Sequence, residues 1–130
     1  VVAMVYATCN TACPMTVKEI STVLDKAHDT GTPVFLFTLD PEHDDPPALR
    51  AMHERHALEP RWRLVRTEPA DVQEIAAALG IRYRELTEGE YAHTPVIAVL
   101  DAQGVVAIRQ DGLSQSHDAL IAALHEERRP

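Results

Sequence analysis

The chain has two cysteines, Cys9 and Cys13, separated by three residues in the mostly polar stretch that runs from Thr8 to Thr11 and on into Cys13-Pro14. Two neighbouring thiolates do one of two things well: they close a disulfide, or they bind a soft metal such as Cu(I). Proline after Cys13 suits the first turn of a helix. A helix start would set the pair beside unpaired N–H groups, whose partial positive charge lowers thiol pKa and favours the nucleophilic, metal-binding thiolate. Free cysteine is often just a small buried hydrophobe, but a polar loop at a helix start is a poor place for one. Two cysteines are also too few for a disulfide-stapled miniprotein. The C-x-x-x-C spacing by itself leaves both chemistries open.

The surrounding residues supply the frame. Residues 2–7 form a valine-rich apolar run, the pattern of a strand buried on both faces. Val17, Ile20, Val23, Leu24 and Ala27 then recur at helical spacing, which predicts a helix over about 14–29 with Gly31 as its stop. Val34 to Leu39 is a second apolar run, and strand, helix, strand over this length is a βαβ unit with parallel strands. Asp45 before Pro46 reads as an N-cap opening a helix to about Leu58, and Trp62–Val65 as a short strand. Val72, Ile75, Ala76 and Leu79 mark a helix stopped by Gly80. Pro95–Leu100 and Val105–Ile108 flank the turn Asp101-Ala102-Gln103-Gly104 as a hairpin, and a last helix spans about 115–127. The order implies one α/β domain over residues 1–130, with a mixed central sheet and helices on both faces. Cysteines where the first strand passes into a helix are characteristic of thioredoxin-like folds.

Composition bounds the function. With 45% apolar and 25% charged residues the chain is an ordinary globular sequence, and 130 residues fit a single core. A net charge of −8 repels a phosphate backbone, and Arg61, Arg63 and Arg66 are too few to reverse it, so nucleic acid is not an expected partner. No apolar run approaches the roughly 20 residues that span a bilayer. The opening Val1-Val2-Ala3-Met4-Val5-Tyr6 reads as the middle of a strand, so preceding sequence is expected.

Three segments together resemble the Sco/SenC family of copper proteins. Thr8-Cys9-Asn10-Thr11-Ala12-Cys13-Pro14 is similar to its T-x-C-x-x-x-C-P signature, with Thr8 directly before Cys9 instead of one residue earlier. Thr38-Leu39-Asp40-Pro41-Glu42-His43-Asp44-Asp45-Pro46 is similar to its aspartate-proline segment. Tyr91-Ala92-His93-Thr94, followed by Val96–Asp101 and Gly104, is similar to its histidine motif. The three occur in family order across nearly the whole chain.

The resemblance implies a thioredoxin-like fold and a copper site made by Cys9, Cys13 and His93. Two thiolates and an imidazole suit three-coordinate Cu(I), and a further ligand would accommodate Cu(II). It further implies a metallochaperone that delivers copper to, or maintains the thiols of, the binuclear copper site of cytochrome c oxidase. The implied partners are a copper-accepting oxidase subunit and a thioredoxin-like reductant, the setting periplasmic or membrane-tethered and extracytoplasmic. The family's additional N-terminal strands and membrane anchor have no counterpart in these residues.

The alternative is a metal-independent thiol-disulfide oxidoreductase using Cys9 and Cys13 as its redox pair. Pro95 lends it weight, since thioredoxin-like oxidoreductases place a cis-proline before the corresponding strand; a cis Thr94–Pro95 bond would match them, and a trans proline at a strand entrance is the alternative. Cysteine peroxidases rank third, for no proline precedes Cys9 at the required offset. Other candidates weigh less. His53 and His56 share a helix face that reads as solvated, Asp40 either orients the site or ends a strand, and Met15 reads as packing.

Overall fold

The computed structural model describes residues 1–7, 12–87, 90–112 and 116–128. In chain order these form β1 (Val2–Val5), α1 (Ala12–Lys26), β2 (Val34–Thr38), α2 (Pro46–Arg55), β3 (Trp62–Val65), α3 (Pro69–Leu79), β4 (Tyr83–Thr87), β5 (Glu90–His93), β6 (Val96–Leu100), β7 (Val106–Asp111) and α4 (Asp118–Glu127). Five strands make one sheet in the order β3-β2-β1-β6-β7, and β4 and β5 pair apart from it as a two-stranded ribbon.

The valine-rich run forms the middle of the sheet. β1 pairs in parallel with β2 from Val2↔Phe35 to Val5↔Thr38, and antiparallel with β6 at Val2↔Ala98. Every residue of β1, and Val96 to Val99 of β6, is buried without alternation, so both faces of the central strands are covered. β2 pairs in parallel with β3, as two consecutive βαβ units require. Ile20 and Leu24 of α1, Leu36, Met52, Ile97, and Leu120 and Leu124 of α4 are the largest fully enclosed apolar side chains. Each such side chain contributes about 1.5–3 kcal/mol on leaving water. The layered α/β architecture is the one implied by the order of elements.

Local chemistry explains the ends. The Asp45 carboxylate accepts the Ala48 N–H at 2.9 Å and Pro46 fills the first turn of α2, as their types demand. Gly80 ends α3 in the left-handed region at φ 70°, and the Ile81 N–H closes on the Ala76 carbonyl at 2.8 Å. α1 departs from expectation: it stops at Lys26, where His28 takes φ 53° and the Asp29 N–H reaches back to the Leu24 carbonyl. Gly31 instead turns the chain toward β2, its N–H donating to the Asp29 carboxylate.

Two further findings bear on the site. The peptide bonds of the described residues are all trans, Thr94–Pro95 included, so of the two alternatives for Pro95 the trans proline at a strand entrance is the one present. The β4–β5 ribbon was not foreseen, and it carries His93 on a paired strand rather than in a loop.

Candidate metal centre

Cys9 lies outside the described residues. Cys13 is the second residue of α1, at the positive end of that helix and directly before Pro14; its side chain also falls outside the description. Of the three expected ligands, His93 is the one whose side chain is defined.

His93 ends β5 opposite Tyr83 of β4. Alternation puts Tyr83, Glu85, Tyr91 and His93 on one face of the ribbon, and that face turns toward the end of β1. The Tyr6 hydroxyl donates to the Tyr91 carbonyl at 2.9 Å, and the Tyr6 ring meets Tyr91 edge-on at 5.4 Å and His93 at 5.9 Å. Tyr6 stands three residues before Cys9 in the chain. The ribbon is thereby tied to the strand that leads into the cysteine segment.

Both nitrogens of the His93 ring are buried, and neither has a hydrogen-bond partner among the described residues. A neutral imidazole carries one donor and one acceptor, and leaving either buried without a partner costs about 1–3 kcal/mol. Among the described residues the ring is held by aromatic packing against Tyr6 and not by a hydrogen bond, an arrangement in which an imidazole nitrogen could serve a cation. Arg82, Tyr83, Arg84, Ala92 and Thr94 form with it a shallow cleft of about 340 Å³. The described side chains alone assemble no group of three or more His, Cys, Asp or Glu suited to a metal.

The aspartate-proline segment closes the other side. Asp40 and Asp44 are buried at the end of β2. Asp40 accepts the His43 Nδ1–H at 2.9 Å within its own turn, and its charge lies near Tyr91. Asp44 accepts the Thr38 hydroxyl at 2.5 Å and the Ala7 N–H at 3.0 Å. Burial pushes the Asp44 carboxyl above its usual range, the two hydrogen bonds only partly offset this, and the Asp40 charge adds to it. The Tyr91 phenol, desolvated and donating to Glu85 at 3.0 Å, resists ionisation beyond the normal tyrosine range.

The lesser candidates resolve plainly. His53 donates from Nε2 to the Trp62 carbonyl, His56 is lowered in pKa by burial and then by the Arg55 charge, and neither belongs to a group of three or more metal-ligating side chains among the described residues. Met15 is half exposed in a cleft with Lys18, Glu19, Thr22 and His117, which contradicts the packing role expected for it. Asp44 was legible only as part of a motif; nothing in its type announced that it would be buried against Ala7.

The SCO1/SenC family model matches residues 1–128. A comparison with curated proteins finds no match. Among solved structures, a SCO1/SenC family lipoprotein from Bacillus anthracis str. Ames superposes with TM-score 0.82 at 17% identity, covering 98% of this chain and 80% of that one. Arabidopsis thaliana ScoI with copper bound gives 0.79 at 15% identity, covering 97% and 80%. BsSco, a member of the Sco family of cytochrome c oxidase assembly proteins with an identified disulfide switch, gives 0.78 at 19% identity, covering 97% and 77%. At these identities the likeness establishes the fold, which is thioredoxin-like.

Proposed function

The chain belongs to the SCO1/SenC family, and from that membership we propose that it is a copper-binding metallochaperone whose ligands are Cys9, Cys13 and His93. The observation that carries the reading is His93: a half-buried imidazole whose two nitrogens are buried and unpartnered among the described residues, packed against Tyr6 just beyond the strand that leads into the cysteine segment. A thiolate pair at a helix start and one lone-pair nitrogen form a soft donor set matched to Cu(I). Copper is the cargo here, delivered to the binuclear copper site of cytochrome c oxidase, or the same thiols serve to reduce that site's cysteines. Arabidopsis ScoI binds copper and BsSco belongs to a family of oxidase assembly proteins, in line with this reading. A copper-accepting oxidase subunit and a thioredoxin-like reductant are the partners it calls for, since a thiol pair working outside the cytosol needs re-reduction. An extracytoplasmic, membrane-tethered setting fits the lipoprotein relative. No helix of the described residues is long and apolar enough to cross a membrane.

The metal-independent oxidoreductase remains the second reading, but the trans Thr94–Pro95 bond removes the feature that favoured it. Redox gating separates the chaperone from adventitious binding. Disulfide formation consumes the sulfur charge that coordinates metal, so copper should bind the dithiol and not the disulfide. Chelator competition for Cu(I), run on anaerobically reduced and on oxidised protein, is the experiment. Strong binding by the reduced form alone supports the reading; equal affinity of both forms removes the cysteines from the ligand set.

A further inference from the structure

We propose that Asp44 and Arg55 are positioning residues that clamp the backbone of Ala7 and thereby fix the approach of the cysteine segment to its ligand geometry; this deepens the copper reading above and rests on it. The ladder between β1 and β2 ends where the Leu39 N–H meets the Val5 carbonyl at 2.8 Å. Ala7 lies beyond the described ladder, half-buried, and its polar backbone groups are paired with side chains instead. Ala7 finds two side chains from one distant segment. Its N–H donates to Asp44 Oδ2 at 3.0 Å, and its carbonyl accepts from Arg55 Nη2 at 3.1 Å. The peptide planes on both sides of Ala7 are held, so both of its dihedrals are set two residues before Cys9.

The clamp is itself rigidly mounted. The Asp44 N–H donates to the Asp40 carbonyl at 2.8 Å, its Oδ2 also takes the Thr38 hydroxyl, and the side chain is buried. Asp45 caps α2, at whose last residue Arg55 sits, so one jaw of the clamp directly precedes the cap of that helix and the other is its last residue. A buried carboxylate that no arginine or lysine reaches among the described residues is costly. Its described hydrogen bonds go to the Ala7 N–H and to the Thr38 hydroxyl, which places the benefit at the strand that leads to the cysteines.

Pre-ordering one loop residue removes an ordering penalty that metal capture or disulfide closure would otherwise meet, worth on the order of tenfold in an equilibrium constant. The test uses the full chain with Asp44→Leu, Asp44→Asn and Arg55→Ala, each checked for native circular dichroism. Two equilibria are read: Cu(I) affinity by chelator competition, and the dithiol–disulfide ratio against glutathione by alkylation trapping. Asp44→Leu and Arg55→Ala should weaken Cu(I) binding and shift the glutathione equilibrium by about tenfold. Asp44→Asn, which keeps an oxygen for the Ala7 N–H, should restore most of both. If Asp44→Leu does not fold, the exposed Arg55→Ala carries the test alone. Wild-type values in both equilibria for the folded variants would overturn the clamp, as would Asp44→Asn failing as badly as Asp44→Leu, which would point to charge and not to hold. Should the native protein bind no copper, the copper reading falls while the glutathione equilibrium still decides the clamp.

Discussion

The two ends of the central sheet each carry a buried aspartate, and their surroundings are opposite. At the end where β1 and β2 begin, Asp29 accepts the Thr32 hydroxyl, the Thr32 and Gly31 N–H groups at 2.9 and 3.1 Å, and Arg61 at 3.4 Å, with Arg128 at 3.6 Å. Burial alone would raise its pKa, but these bonds and the Arg128 charge outweigh it and hold the carboxyl below its usual range. At the end where β1 and β2 finish, Asp44 has two donors and no arginine or lysine among the described residues, and its pKa is raised. The first is a hub that ties α1, the β3 approach and the C-terminal turn together. The second accepts an electrostatic burden beside the cysteine segment. On the clamp proposal, the first aspartate serves stability and the second serves positioning.

The largest effect that would break this contrast is on folding. Asp29→Ala removes a carboxylate shared by two arginines and abandons the Thr32 and Gly31 donors, and although Arg61 keeps Glu59 and the residue 29 carbonyl it should cost about 2–4 kcal/mol in urea unfolding while leaving Cu(I) affinity unchanged. Asp44→Leu should cost less, about 1–3 kcal/mol for the donors it abandons, because the buried charge goes with it. A greater stability loss for Asp44→Leu than for Asp29→Ala would reverse the assignment of the two ends.

Acid sharpens the contrast because the two carboxyls respond with opposite sign. Asp29 has a folded pKa below the ordinary 3.8, so its stabilisation is present above that value and is lost as pH falls through the folded pKa. Asp44 has a folded pKa above 3.8, so the native state takes up its proton first and stability rises as pH falls through that raised value toward 3.8. Urea midpoints between about pH 2 and 7 should show Asp44→Asn losing the rise at the upper part of the range and Asp29→Asn losing the fall at the acid end.

The smallest effect is on the ribbon. Tyr91→Phe removes the bond to Glu85 and should cost about 0.5–1.5 kcal/mol, while the tie from Tyr6 to the Tyr91 carbonyl persists and copper binding holds. A loss of copper affinity in Tyr91→Phe would give the phenol a part at the site.

Much of the fold was legible because one rule governs each piece. Unalternating valines gave β1 its double burial, Asp45-Pro46 gave α2 its cap, and Gly80 gave α3 its left-handed stop. The β4–β5 ribbon escaped because Tyr83 to Thr87 mixes arginine, glutamate and leucine with no apolar run. Its signal was the alternation of Tyr83, Glu85, Tyr91 and His93 about Glu88-Gly89, which becomes visible only when the two strands are read as a pair. His93 was found through its motif, whereas its aromatic mounting depends on Tyr6, far away in the chain. Asp44 and Arg55 were unreadable as a clamp for the same reason: their shared partner is a backbone unit 37 and 48 residues distant, and no periodicity encodes such a contact.

The central claim is that His93 completes a copper site with Cys9 and Cys13, and copper binding by His93→Ala in both oxidation states tests it most directly. Removing the one nitrogen ligand leaves two thiolates that still hold Cu(I) in near-linear geometry but do not satisfy Cu(II), which prefers nitrogen. Cu(II) binding should collapse, Cu(I) binding should weaken less, and the thiols should still cycle through a disulfide. Unchanged binding of both ions by His93→Ala would contradict the account, and unchanged binding together with lost disulfide exchange would make that histidine part of a thiol-disulfide oxidoreductase instead.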